Sequence, residues 1–466
     1  MEPEPDSQKL GQSLLPRHIS MIAIGGIIGA GLFVGSSTAI ATAGPAIILS
    51  YAFAGLIILL IMRMMGEMAV ATHLSSFTEF IRLGLGNWAG YLSGWLYWYF
   101  WIVVVAIEAI AGAAILQLWM PFEVWQIGTV LLALMTGVNL MSTRSYGEFE
   151  FWFASLKVAA IIAFILIGLA YVFGITTPDP PGFANLTAHG GFAPAGIVAM
   201  FAGVTSVIFA LCGAEIATIA AAESPEPVRV VSRLTGSVAT RILLFYVISI
   251  TLIVAIVPWP EIVPGQSPFA AALTYMGVPG AATIMNLVVL IAVLSCLNSG
   301  LYVTSRVLFL LSAKGDAPRW LVALDRRRVP TRSILIGTLF GYVALAASAL
   351  SPELVFSMLV NASGATMLII YLLVCFGQLK LRNRLEREDP ERLALRMWFH
   401  PFATIFVIVA ILAVLAAMAF TPSLLSQFLA SVILAGAVML SYAFRARRRR
   451  EQADGSAMGV AGYSAE

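Results

Sequence analysis

Residues 21–40, MIAIGGIIGAGLFVGSSTAI, decide how this chain folds. The stretch is apolar and long enough to cross a hydrocarbon core of roughly 30 Å as a helix. Yet Gly25, Gly26, Gly29, Gly31 and Gly35 fall within eleven of its residues. Small residues let membrane helices approach closely, and the spacings Gly25 to Gly29 and Gly31 to Gly35 fit that use. Close packing needs fewer glycines than this, so the run predicts a helix that unwinds near its middle. Unwinding exposes backbone amides at the start of a half-helix, where the partial positive charge suits a carboxylate. A dinucleotide-binding loop does not fit, because GAGLFVG is one residue too long and no strand precedes it.

The rest of the chain makes lipid its main solvent. Of 466 residues, 60% are hydrophobic and only 11% charged, too few polar groups to cover a soluble surface. Apolar stretches predict an all-α polytopic membrane protein with about twelve transmembrane helices. They lie at roughly 19–41, 45–70, 88–118, 124–141, 149–174, 195–221, 233–257, 281–312, 333–350, 354–377, 401–420 and 424–444. The long stretches 88–118 and 281–312 leave room for steep tilt or a short extra helix.

Basic residues gather in alternate connecting segments: Lys9 and Arg17, Arg82, Arg144, Arg229 and Arg233, then the groups 314–332, 380–396 and 445–450. The segments 173–194 and 257–280 between them hold neither Lys nor Arg. Positive loops stay in the cytoplasm, so both termini are expected there, in a multi-pass protein of the bacterial cytoplasmic membrane. This placement accounts for the net charge of +3 without a nucleic-acid partner. The run Arg447 to Arg450 is read as a stop signal beside the last helix. No cleavable signal peptide is expected from the polar start, and Cys212, Cys296 and Cys375, all in apolar stretches, predict free thiols.

A second stretch, 195–221, repeats the design: FALCGAEI, residues 209–216, puts Gly213 beside Glu215 in mid-span. Four further spans follow each break. That layout predicts two five-helix repeats of opposite membrane orientation, the 5+5 inverted repeat, whose broken first helices form a midplane site, plus two extra helices. The expected organisation is a cytoplasmic segment 1–18, a transporter domain 19–444 (repeats at about 19–174 and 195–377, extra helices at about 401–444) and a disordered tail 445–466.

Charges inside a membrane cost at least a few kcal/mol unless paired or hydrated, so each is a functional candidate. Glu108 in WIVVVAIEAIAG, Glu215 and Lys157 in EFEFWFASLKVAAI qualify. Lys157 suits either of two roles, a fixed cation standing where another transporter binds a metal ion, or a group that sheds its proton on burial. For Glu67 a simple pair with Arg63, one turn away, is expected. The aromatic run 95–101 is read mainly as packing. The polar stripe Ser295, Asn298, Ser299, Thr304 and Ser305 fits a water-lined face or interhelical hydrogen bonding.

Enzyme chemistry finds no foothold. The four histidines are scattered without metal-ligand spacing, no serine sits in a nucleophile elbow, and no GxxxxGK[ST] motif binds ATP. Neither a cofactor nor a metal is expected.

From about residue 15 to 442 the sequence resembles the amino acid, polyamine and organocation transporter superfamily, specifically its bacterial amino acid permease family. The specific stretches are RHISMIAIGGIIGAGLFVGS, AGPAIILSY, GEMAVA, GWLYWYFW, YGEFEFWFASLKV, GAEIATIAAAESPEP, SCLNSGLYVTSRVLF followed by GDAP, and LRMWFHPF. Within the family it looks most like the 4-aminobutyrate (GABA) permeases, through GAEIATIAAAES and SCLNSGLY. The resemblance implies proton-coupled uptake by alternating access. The substrate carboxylate would rest on the break formed by Gly25, Gly26, Ile28, Gly29, Ala30 and Gly31, and its amine on carbonyls around Phe209, Ala210, Leu211 and Gly213. Lys157 is similar to a fifth-helix lysine that fills the sodium position in proton-coupled relatives, and Glu108 and Glu215 match acidic positions of the family motifs. One departure is that Phe209, Ala210 and Leu211 stand where relatives often read F-S-F, so the second aromatic is absent.

The expected function is proton-driven import of a small zwitterionic amino acid, GABA first. Alternatives are an exchanger, a permease for proline, alanine, aromatic or cationic amino acids, and, from another class, a nutrient sensor that binds without transport.

Overall fold

The computed structural model describes residues 21, 28–74, 76–141, 143–178, 180–213, 215–216 and 242–463, and among them it is helical with no strand. Gly25, Gly26 and the segment 1–18 lie outside the described residues, as do Arg229 and Arg233.

Every expected span has a helix. A π-helical turn, Gly31–Gly35, runs into α1, Ser36–Ala43. Gly44 ends it at φ 62 and ψ −150, a conformation glycine reaches without a Cβ penalty, and Pro45 cannot extend the ladder. There follow α2 (Ile47–Thr72), the short amphipathic α3 (Phe77–Leu85), α4 (Asn87–Leu116), α5 (Val124–Asn139) and α6 (Thr143–Val172). The second half comprises α7 (Gly196–Leu211), a π-helical Ile242–Ile248 leading into α8 (Ser249–Ile256), α9 (Ala281–Ala313), α10 (Thr331–Ser348) and α11 (Pro352–Glu388). The extra pair is α12 (Phe402–Phe420) and α13 (Pro422–Tyr463).

Eight stretches among the described residues are long and apolar enough to cross a membrane, one of them holding both α1 and α2. Helices α5, α7 and the segment ending in α8 are shorter. The stretches 88–118 and 281–312 are single continuous helices, with no extra element hidden in them. Large apolar side chains such as Leu166, Leu350, Phe402 and Ile433 face outward, which lipid rather than water solvates.

One expectation gives way. Glu67 does not pair with Arg63. Arg63 donates to the Arg396 carbonyl (2.7 and 3.0 Å) and lies over the Trp398 ring, whereas Glu67 accepts from the Arg382 guanidinium, from Gln378 at 2.7 Å and from the Met397 amide. The extension of α11 beyond its apolar part supplies Gln378 and Arg382, which lets a buried carboxylate find a better-enclosed partner than the nearest basic residue.

Gly90, Gly94, Gly337 and Gly341 sit at close contacts, as expected. A Cβ on Gly94 would meet Leu311 at 2.7 Å, and one on Gly337 would meet Thr304 at 2.6 Å.

Candidate functional site

The two breaks face each other. A Cβ placed on Gly31 would fall 2.6 Å from Cα of Ala210 and 3.2 Å from the Phe209 ring, so only glycine lets the first half-helix seat against the end of α7. The helical ladder restarts at Gly29, whose carbonyl accepts from both Leu32 and Phe33 at 3.2 Å. On the other side α7 stops where Cys212 turns extended (φ −66, ψ 151), followed by Gly213 at φ 120.

Each break presents an amide, and each amide holds a carboxylate. The Ala30 N–H donates to Glu108 from α4, at 3.0 and 3.1 Å to its two oxygens. Gly29 makes room for this, because a Cβ there would lie 2.6 Å from Glu108 Oε1 and 2.7 Å from Cys296 Sγ. The Gly213 N–H donates to both oxygens of Glu215 at 3.1 Å, and the hydroxyls of Tyr97 and Tyr371 donate to the same carboxylate at 3.4 Å each. Exposed amides at a helix break carry partial positive charge and stabilise an anion in a dry site.

Between the breaks is a narrow cavity of about 10 Å³. Gly29, Gly31, Glu108, Phe209 and Ala210 line it. Ile28, Ala30, Leu211, Gly213, Glu215 and Lys157 are buried nearby without lining it. Phe100, Trp101, Val104, Cys212 and Cys296 complete the wall and were not singled out as contacts. The helical register of α4 carries the signal for three of them, since Phe100, Trp101 and Val104 precede Glu108 by one to two turns.

Lys157 is fully buried on α6, and its Nζ lies 4.0 Å from Oε1 of Glu150, also fully buried. Ser295 on α9 donates to that same oxygen at 2.6 Å. Glu150 escaped the reading of the sequence although its spacing from Lys157, two helical turns, puts both on one face.

The polar stripe of α9 is an interhelical device. Ser295, Asn298, Ser299, Thr304 and Ser305 are all buried, and Asn298 Oδ1 accepts from Asn139 of α5 at 2.6 Å. Arg306 is buried as well and stacks over Tyr302 at 4.1 Å.

Comparison with known proteins is consistent with this architecture. The amino acid permease family model matches residues 18–454. A gamma-aminobutyric acid permease of Bacillus subtilis is 46% identical over 95% of this chain and 96% of its own. An aromatic amino acid transport protein of Corynebacterium glutamicum is 37% identical over 93% and 95%. Among solved structures, a manganese transporter of Eremococcus coleocola superposes with a TM-score of 0.58 over 93% of this chain and 94% of that one; at 12% identity the likeness is one of fold.

Proposed function

Because the chain belongs to the amino acid permease family, we propose that it imports a small zwitterionic amino acid, GABA first among candidates, together with protons by alternating access. The high identity to a GABA permease supports the substrate, and the bias of basic residues supports a cytoplasmic-membrane location with both termini inside.

One observation carries the mechanism: the carboxylate of Glu108 sits on the Ala30 amide that a substrate carboxylate would need. Two carboxylates do not share one N–H, and two unpaired negative charges in a dry cavity repel. Substrate therefore binds the break when Glu108 takes a proton and gives up the amide. Binding of proton and substrate are linked, and by reciprocity each raises the affinity for the other. Gly29 and Gly31 keep the backbone open for the carboxylate, and the end of α7, Phe209 to Gly213, receives the amine. Glu215 fixes the second break, and Lys157 supplies a buried cation in the coupling region.

Uptake of labelled GABA into proteoliposomes tests this. An inward proton gradient should drive accumulation, with sodium having no effect. Sodium-dependent uptake that ignores pH would overturn the coupling. A competition panel of GABA, proline, alanine, lysine and phenylalanine tests the substrate, and the reading fails if GABA competes no better than phenylalanine.

A further inference from the structure

Glu150 and Lys157 lie seven residues apart on α6, roughly 10 Å along the axis, and a helical side chain leans toward the helix start. The lysine thus reaches back toward Glu150, to 4.0 Å, in a fully buried pair. Ser295 satisfies Oε1 at 2.6 Å and Ser299 also bonds the carboxyl, while Oε2 is buried without a hydrogen-bond partner of its own among the described residues. A purely structural ion pair gains from having every lone pair satisfied. An open acceptor next to a buried ammonium instead suits transfer of a proton. Glu150 also lies three residues from the start of the apolar part of α6, at Gly147, whereas Lys157 lies deeper.

The surroundings leave the pair as a unit. Among the described residues, Cys296 on α9 is a titratable group in electrostatic reach of Glu150 from a neighbouring helix, and Glu108 on α4 is in reach of Lys157 from the side of the cavity. Tyr246, ahead of α8, is in reach of Cys296 and Glu108. Helix α5 has no charged residue.

We propose that Glu150 is a proton-coupling residue, exchanging the transported proton with Lys157 on its way to the cytoplasm. Once the pair closes from 4.0 Å to hydrogen-bonding distance, an Nζ–H bond of the ammonium breaks and an O–H bond forms on the Glu150 carboxylate, turning ammonium and carboxylate into amine and carboxylic acid with no change in net charge. Release of that proton inward restores the carboxylate, and the amine is reprotonated from the side of Glu108. This assignment rests on the proton-coupled reading above.

The test uses the full chain in proteoliposomes, comparing wild type, Glu150→Gln and Ser295→Ala. Glu150→Gln should lose about tenfold or more of gradient-driven accumulation, with no remaining response to internal pH. Exchange of internal for external GABA at equal pH should fall no more than about twofold. Ser295→Ala should keep accumulation but displace its pH profile. If Glu150→Gln follows wild type at every pH, or loses exchange and accumulation alike, Glu150 has no coupling role. Should Glu150→Gln not be recovered folded, Ser295→Ala decides, and an unmoved pH profile overturns the assignment. A wild type that ignores the proton gradient removes the coupled reading and this assignment together, whereas a responsive wild type with an equally responsive Glu150→Gln removes Glu150 alone.

Discussion

Gly31 seats directly against Ala210, with 2.6 Å between the position of a Cβ on the glycine and the alanine Cα. The obstruction is backbone, so it does not swing away as a long side chain would. Gly31→Ala should force the half-helices apart, at about 1–3 kcal/mol of overpacking. Gly29→Val should do more to binding, because its side chain falls on Glu108 and Cys296 inside the cavity. Equilibrium binding of labelled substrate to detergent-purified protein measures both. Binding by Gly29→Val at wild-type affinity would show that the carboxylate site is elsewhere.

The grip of Glu108 on the Ala30 amide makes a second expectation. Glu108→Gln keeps the shape but removes the charge that competes with substrate, so binding should persist while its dependence on pH disappears. Gradient-driven uptake should fall by about a hundredfold, in the range of a lost acid–base group. Lys157→Ala should abolish coupled uptake, since it leaves Glu150 buried without its cation. The pH profile of binding, set beside that of uptake, separates the two variants.

How much of this was legible in the sequence follows from the range of each interaction. The breaks were, because glycine density and mid-span carboxylates are local signals, and Gly31 and Ala210 do meet. The partner of Glu108 was not, because Ala30 lies 78 residues away and only the crossing of α4 over the break joins them. Glu150 was within reach of a helical-spacing argument from Lys157. Glu67 misled for the opposite reason: Arg63 is the nearest charge along the helix, but the Arg396 carbonyl and the Trp398 ring hold it elsewhere.

Around Glu215, distance separates strong from weak contributions. Tyr97 and Tyr371 donate at 3.4 Å, long for a hydroxyl, so Tyr97→Phe and Tyr371→Phe should each change uptake by no more than about threefold, near 0.5 kcal/mol. Glu215→Ala leaves the Gly213 amide without its acceptor in a buried site, and should reduce uptake by about tenfold or more. Initial rates at saturating substrate give the ranking, and a Tyr371→Phe defect as large as that of Glu215→Ala would contradict it.

The Glu67 cluster should hold the end of α11 and the segment around Met397 to α2. Glu67→Ala leaves Arg382 with Glu386 as its remaining anionic partner and takes the acceptor from Gln378 and the Met397 amide, and should cost about 1–3 kcal/mol, seen as earlier thermal unfolding in detergent. Arg63→Ala, at a partly exposed site that makes no contact with Glu67, should cost under about 1 kcal/mol.

His400 gives this cluster a pH dependence whose sign can be worked out. Its Nδ1 lies 3.5 Å from Gln378, which in turn bonds Glu67. Burial, and then the nearby Arg382 guanidinium, hold the imidazole below its ordinary value of 6.5. Just below pH 6.5 the unfolded chain binds a proton that the folded protein refuses, so stability falls as pH drops through 6.5 toward the lowered value. Above 6.5 both states are neutral and His400 adds no slope. Thermal unfolding in detergent across this window should therefore show a downward step on acidification, and His400→Gln, which does not titrate, should remove it. A step of the same size in His400→Gln would move the acid sensitivity to the buried carboxylates.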